Sequence, residues 1–196
     1  MNTRSLVPLA LIAAVTLAAV ALAVRPFAAT AVANTAQATD AQVARGKYLV
    51  TIMVCNDCHT PWHMTDKGPE PDMSRMLSGH PQDFAVDAAA EKPKGPWQTI
   101  AAPTMTAWSG PWGVSFTANL TPDKETGLGK WTADTFIAAL RTGRHEGQGR
   151  PILPPMPYPM YRQASDEDLR AIFAYLQTIP AIHNRVPQPI DPKEMQ

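Results

Sequence analysis

Cys55-Asn56-Asp57-Cys58-His59 is the stretch on which the fold turns, because it sets two thiols three residues apart with an imidazole directly after the second. Two thiols at that separation, at the end of a helix, can add across the two vinyl groups of one haem. The following histidine is then held beneath the macrocycle, where it can bind the iron. The competing readings are a vicinal disulfide, half of a zinc site and a thioredoxin-type redox pair. Zinc needs two further ligands at matching spacing, and a thioredoxin-like site needs a strand before the motif and a helix after it, whereas here the helical pattern comes first. The expectation is one covalently attached haem c, with Cys55 and Cys58 as its attachment points and His59 as an iron ligand.

Upstream of the motif, Asp40 is placed to cap a helix in which Val43, Gly46, Val50 and Met53 recur on one face, running directly into Cys55. Downstream, Pro61, Pro69, Pro71, Pro81, Pro93, Pro96, Pro103, Pro111 and Pro122 punctuate the chain, which reads as ordered loop with short turns and no strong strand pattern. Thr132 is a second N-cap, followed by Phe136, Ile137 and Leu140, with Gly143 placed to end that helix in a left-handed conformation. Residues 144–162 carry five more prolines and read as non-helical. Ser165 then opens a capping box with Asp168, ahead of Leu169, Ile172, Phe173 and Leu176, until Ile179-Pro180. The fold expected is mainly α, with three or more helices around one covalent haem and long Pro-rich loops.

A haem iron held by one histidine has a sixth position to fill, for which His63, His80, His145, His183 and the methionines compete. The segment Pro154-Pro155-Met156-Pro157-Tyr158-Pro159-Met160 favours Met156, because prolines on both sides restrict the backbone and lower the entropy lost in presenting one thioether. Met160 is the reserve. Met64, Met73, Met76 and Met105 read as packing residues. Trp97, Trp108, Trp112, Trp131, Phe136, Phe173 and Leu176 are candidates for an apolar pocket, and Arg141, Arg144 and Arg150 are either solvated or partners of a propionate. Asp123 and Glu125 lack the closing glutamate of a calcium loop, and Asn119-Leu120-Thr121 reads as loop structure rather than a glycosylation site.

At the N-terminus, Arg4 precedes an uncharged stretch from Leu6 to Val24 closed by Arg25, and Ala31-Val32-Ala33 supplies a small-x-small cleavage pattern. Residues 1–33 are expected to be a signal peptide or a retained membrane anchor, 34–39 a linker, 40–186 the haem domain and 187–196 a C-terminal tail. Either form places the remainder in the periplasm, free or membrane-anchored. The 196 residues carry 17 Lys+Arg and 17 Asp+Glu; removing Arg4 and Arg25 leaves 15 against 17, a charge of −2. No cationic surplus is available to displace counterions from phosphates, which argues against a nucleic-acid partner. Proline, at 20 of 196 residues, is at about twice its usual share, so long helices cannot fill the chain.

Gly46-Lys47-Tyr48-Leu49, Asn119-Leu120-Thr121-Pro122-Asp123, Thr126-Gly127-Leu128-Gly129, Pro155-Met156-Pro157-Tyr158 and the run from Asp166-Glu167-Asp168-Leu169 to Ala174-Tyr175-Leu176 together resemble a class I single-haem c-type cytochrome. More narrowly, they resemble the haem domains in cytochrome subunits of bacterial membrane-associated alcohol and aldehyde dehydrogenases, over about residues 40–186. The resemblance implies that the first and last helices cross, that His59 is the proximal ligand and that Met156 is the distal one. Two departures stand out: His59 and Met156 are 97 positions apart, longer than in compact members, and relatives often carry three haems where this chain has one motif.

With both axial positions filled, the iron is left to change oxidation state. The function expected is single-electron transfer rather than catalysis, from an exported dehydrogenase toward the respiratory chain through a terminal oxidase or another cytochrome. The alternative is a haem protein with an open or labile sixth site acting in catalysis or gas sensing.

Overall fold

The computed structural model describes residues 38–87 and 93–195. The expected signal or anchor, 1–33, lies outside the described residues, as does most of the 34–39 linker. Helix α1 (Asp40–Ile52) begins one residue earlier than expected: Thr39, not Asp40, is the N-cap, and its hydroxyl accepts from the Gln42 N–H. Asp40 instead occupies the first turn, where the helix dipole favours its charge. Gly46, Leu49 and Val50 are the buried face of α1.

The helix does not run on into the cysteine motif. It stops at Ile52, and Val54 takes a left-handed conformation, φ 51° and ψ 34°, before the short helix α2 (Cys55–His59). A β-branched residue is strained there, so the break is imposed by its surroundings.

The region read as loop contains two small antiparallel sheets. One pairs β1 (Trp62–Thr65) with β2 (Gly68–Pro71), and the other orders β3 (Ile100–Ala101), β4 (Ala107–Gly110) and β5 (Gly113–Phe116) consecutively. Strands of two to four residues are too short to display an alternating pattern, which is why none was legible. Val114 also exchanges two backbone hydrogen bonds with Ile190, at 3.0 and 2.9 Å, so the C-terminal segment is paired onto β5.

Helix α3 (Ala133–Thr142) carries the expected Thr132 cap and left-handed Gly143, φ 67°. Residues 144–162 are not wholly extended: a 3-10 turn spans His145–Gly147, and α4 (Tyr158–Tyr161) forms a single turn opened by Pro159 near its start, where a missing N–H costs nothing. Helix α5 (Asp166–Leu176) is capped by Ser165, which accepts from Asp168 N at 3.1 Å. The reciprocal half of a capping box is not made. The Asp168 carboxylate takes Arg45 Nε at 2.9 Å and so links α5 to α1.

Leu49, Val50, Leu77, Phe136, Leu140, Leu169, Ile172 and Leu176 form one core drawn from α1, α3, α5 and the loop before the second sheet. Loops are fastened to it by buried amides. Asn184, 1% exposed, donates to Ser78 O at 2.7 Å and His80 O at 2.9 Å and accepts from Gln82 N at 3.0 Å. Asn184→Ala strips partners from three backbone groups, two of them buried with it, and is expected to cost about 3 kcal/mol. Urea unfolding should show a lower midpoint at an unchanged slope. Among the described residues no helix is long and apolar enough to cross a membrane.

Candidate functional site

Three positions separate Cys55 from Cys58, so on α2 they lie on one face, and both are free thiols. Burial pushes the Cys55 thiol up to about 12, and burial with the nearby Asp57 charge pushes Cys58 up as well. Both groups therefore stay protonated at neutral pH, the opposite of the thiolate that a dithiol redox pair requires. Nor is there a chelate: among the described residues no group of three or more His, Cys, Asp and Glu side chains converges.

His59 is 7% exposed, and its Nδ1 lies 2.8 Å from the carbonyl oxygen of Ala118. A carbonyl can only accept, so Nδ1 carries the proton. Burial lowers the pKa of the ring and keeps it neutral, and the carbonyl opposes that shift in part. The lone pair is thereby assigned to Nε2, the atom a metal would use. The remaining histidines are placed differently. His80 is fully buried and spends both nitrogens, on Thr106 Oγ1 at 3.0 Å and Phe84 O at 2.9 Å. His145 packs edge-on against Trp131 with centroids 5.2 Å apart, His183 lies 3.6 Å from Asp123, and His63 is exposed on β1.

Met156 is half-buried and packs against the same core that Cys55 borders, whereas Met160, the reserve ligand, is 71% exposed. The methionine loop is held at several points. Ile152 N bonds Gly143 O at 2.8 Å, and Ser115 Oγ donates to Pro154 O at 2.6 Å. Tyr161 Oη donates to Met53 O at 2.5 Å, fastening α4 to the end of α1 next to the cysteine motif. Burial raises the Tyr161 pKa to about 12, and the two cysteines add to it, so its hydroxyl remains a donor. Gly143 is needed here for space as well as for its positive φ, because a Cβ would sit 2.3 Å from the Tyr158 ring.

Like Cys55 and Met156, half-buried Met53, Met76, Leu120, Trp131, Tyr161 and Phe173 pack against the core, which makes its rim an apolar surround. Of the apolar candidates, Phe136 and Leu176 are members of the core and Trp131 and Phe173 are half-buried against it. Trp97 is 70% exposed, and Trp108 and Trp112 belong to the β4–β5 hairpin rather than to the core cluster. Met64 and Met73, expected to pack, are 76% and 58% exposed.

Arg141 is structural: it donates to Arg162 O, Ala164 O and Asp166. Arg144 bonds Gly149 O at 2.9 Å, and Arg150 reaches Pro151 O, at 3.4 Å. Asp123 caps Glu125 N and Thr126 N in a turn, and Asn119, 3% exposed, spends its amide on Ile182 O and Thr126 Oγ1, which closes it to glycosylation. The contacts of Ala118 O, Ser115 and Tyr161 had no sequence signal, since each depends on a partner 39 to 108 positions away.

The donor set fits a covalent haem: two protonated thiols on one face of a helical turn, a neutral imidazole with its tautomer set, a half-buried thioether and an apolar surround. Comparison with known proteins agrees with that chemistry. No protein-family model matches the chain. It is 45% identical over 65 residues, 33% of its length, to the gluconate 2-dehydrogenase cytochrome c subunit of Pantoea cypripedii, of which the match covers 14%. It is 36% identical over 108 residues, 55% of its length, to the fructose dehydrogenase cytochrome subunit of Gluconobacter japonicus, covering 21% of that protein. Over 133 residues, 68% of the chain, it is 28% identical to the cytochrome c subunit of the quinone alcohol dehydrogenase of Gluconobacter oxydans, covering 20% of it. The chain is thus similar to dehydrogenase cytochrome c subunits, and its matches take in about a fifth or less of the length of these curated relatives.

Proposed function

We propose that this chain is a single-electron carrier that holds one haem c through Cys55 and Cys58, with His59 and Met156 as axial ligands. When bound, haem supplies a reversible one-electron iron couple. Each thiol adds its sulfur and its proton across a vinyl double bond, so attachment consumes no oxidant, and thiols kept protonated by burial suit that addition. His59 offers Nε2 because Ala118 O holds the proton on Nδ1, and this tautomer is the observation that carries the reading. Met156 offers a neutral sulfur, which favours the reduced iron more than a second imidazole would. The surrounding Trp131, Phe173 and Leu120 exclude water and penalise the extra charge of the oxidised state.

The similarity to dehydrogenase cytochrome subunits supports a place beside an exported dehydrogenase. In this reading the chain receives electrons from that enzyme and passes them to a terminal oxidase or another cytochrome of the respiratory chain. Residues 1–33 address it to the periplasm, as a cleaved signal or an anchor, and residues 40–186 form the haem domain.

The axial assignment is tested on the haem-loaded protein. Met156→Ala should abolish the weak red-edge sulfur–iron absorption band of the ferric form, lower the potential by on the order of 100 mV and admit carbon monoxide to the ferrous form. Met160→Ala should leave all three nearly as they were. The reverse pattern reassigns the ligand, and a wild-type protein that binds carbon monoxide rapidly and lacks the sulfur band is a haem protein with an open sixth site.

A further inference from the structure

The methionine loop makes few backbone hydrogen bonds of its own next to Met156. Pro151, Pro154, Pro155, Pro157 and Pro159 supply no N–H, and the one backbone bond made by Met156 N, to Leu153 O, is long at 3.3 Å. Its placement depends on outside partners. The one that grips the loop next to Met156 is Ser115 on β5, 7% exposed, whose Oγ lies 2.6 Å from Pro154 O, two residues before Met156. A hydroxyl has one proton to give. Trp108 O, at 3.4 Å, is the poorer acceptor, and Trp112 Nε1, at 3.3 Å, is itself a donor, so the proton belongs to Pro154 O.

The chain then runs from Ser115 through Phe116 and Thr117 to Ala118, the residue whose carbonyl orients His59. Three residue steps, at most about 10 Å of backbone, separate the residue that holds the methionine loop from the residue that holds the histidine ring. This stretch is itself braced: Thr117 N bonds Thr106 O at 2.9 Å, Thr117 O accepts His80 N at 3.0 Å, and Val114 is paired with Ile190.

We infer that residues 115–118 are a rigid spacer that sets Met156 relative to His59, with Ser115 as the positioning residue. The long segment between the cysteine motif and α3 thereby acquires a role, since its sheet and its buried His80 hold the spacer still. The inference rests on the His59 and Met156 ligation proposed above.

The test compares haem-loaded wild type, Ser115→Ala and Ser115→Thr. The ferric sulfur–iron band and the affinity for added imidazole are read in each, because imidazole competes with a thioether for the iron and a purely structural role would move neither. Ser115→Ala is expected to raise imidazole affinity about tenfold and weaken the band while the covalent mass stays unchanged. Ser115→Thr keeps the hydroxyl and should stay within about twofold of wild type. If Ser115→Ala yields no loaded protein, Ser115→Cys, of similar size and with a weak donor, carries the same expectation. Unchanged imidazole affinity in the variant, beside a wild type that shows the band, overturns the spacer alone. A wild type without the band overturns the ligation reading, and the spacer with it.

Discussion

Cys55→Ala combined with Cys58→Ala is expected to yield a chain whose mass lacks the prosthetic group entirely, in a host equipped to attach c-type haem, where wild type gains the mass of one haem. Each thiol supplies one thioether bond and the chain has no third cysteine, so the loss is complete. His59 keeps its neutral imidazole in the double variant, but a single axial bond is reversible where two carbon–sulfur bonds are not. A second consequence follows from packing. Met53, Met76, Leu120, Trp131 and Phe173 stand only partly buried against the core that Cys55 and Met156 also border, and in the proposed reading haem would cover them, each Å² left to water costing roughly 25 cal/mol. The double variant should therefore unfold earlier and aggregate more readily than wild type. Intact-protein mass spectrometry decides the point: a double variant that carries the added mass, or a wild type that never gains it, removes the basis for the proposed function.

Gly46→Ala is expected to cost about 3 kcal/mol or more, although in an exposed helix the same change would gain about 1 kcal/mol through propensity. The sign reverses because a Cβ at Gly46 would stand 1.9 Å from Ala171 O and 2.8 Å from Tyr175 Cβ. Gly46 is a point of close approach between α1 and α5, and the obstruction is backbone that cannot rotate aside. The two helices must separate, uncovering Leu49, Val50, Leu169 and Ile172 together. A urea midpoint as high as wild type would show that the helices can part without loss.

The elements legible in the chain were those whose causes are local. Thr132 and Ser165 cap their helices through bonds to N–H groups three residues on, and Gly143 closes α3 because a left-handed residue is easiest without a side chain. The cysteine–histidine motif is five consecutive residues. Asp168 shows where such reading stops: it occupies the acid position of a capping box, yet its carboxylate serves Arg45, 123 positions away. The five strands were missed for the same reason, since pairs as short as Ile100–Ala101 are stabilised by the neighbouring strand rather than by their own pattern.

The candidate site divides along the same line. The residue types and their order within five positions determined by themselves which atoms could bind haem, because that chemistry needs only thiols, an imidazole and a turn of helix. Tertiary structure alone decided that Ala118 O sets the His59 tautomer, that Ser115 and Tyr161 hold the methionine loop from its two ends, and that Trp97 is exposed while Trp131 packs against the core. Those contacts join residues far apart in the chain, and chain entropy lets such partners meet only when the whole core forms at once.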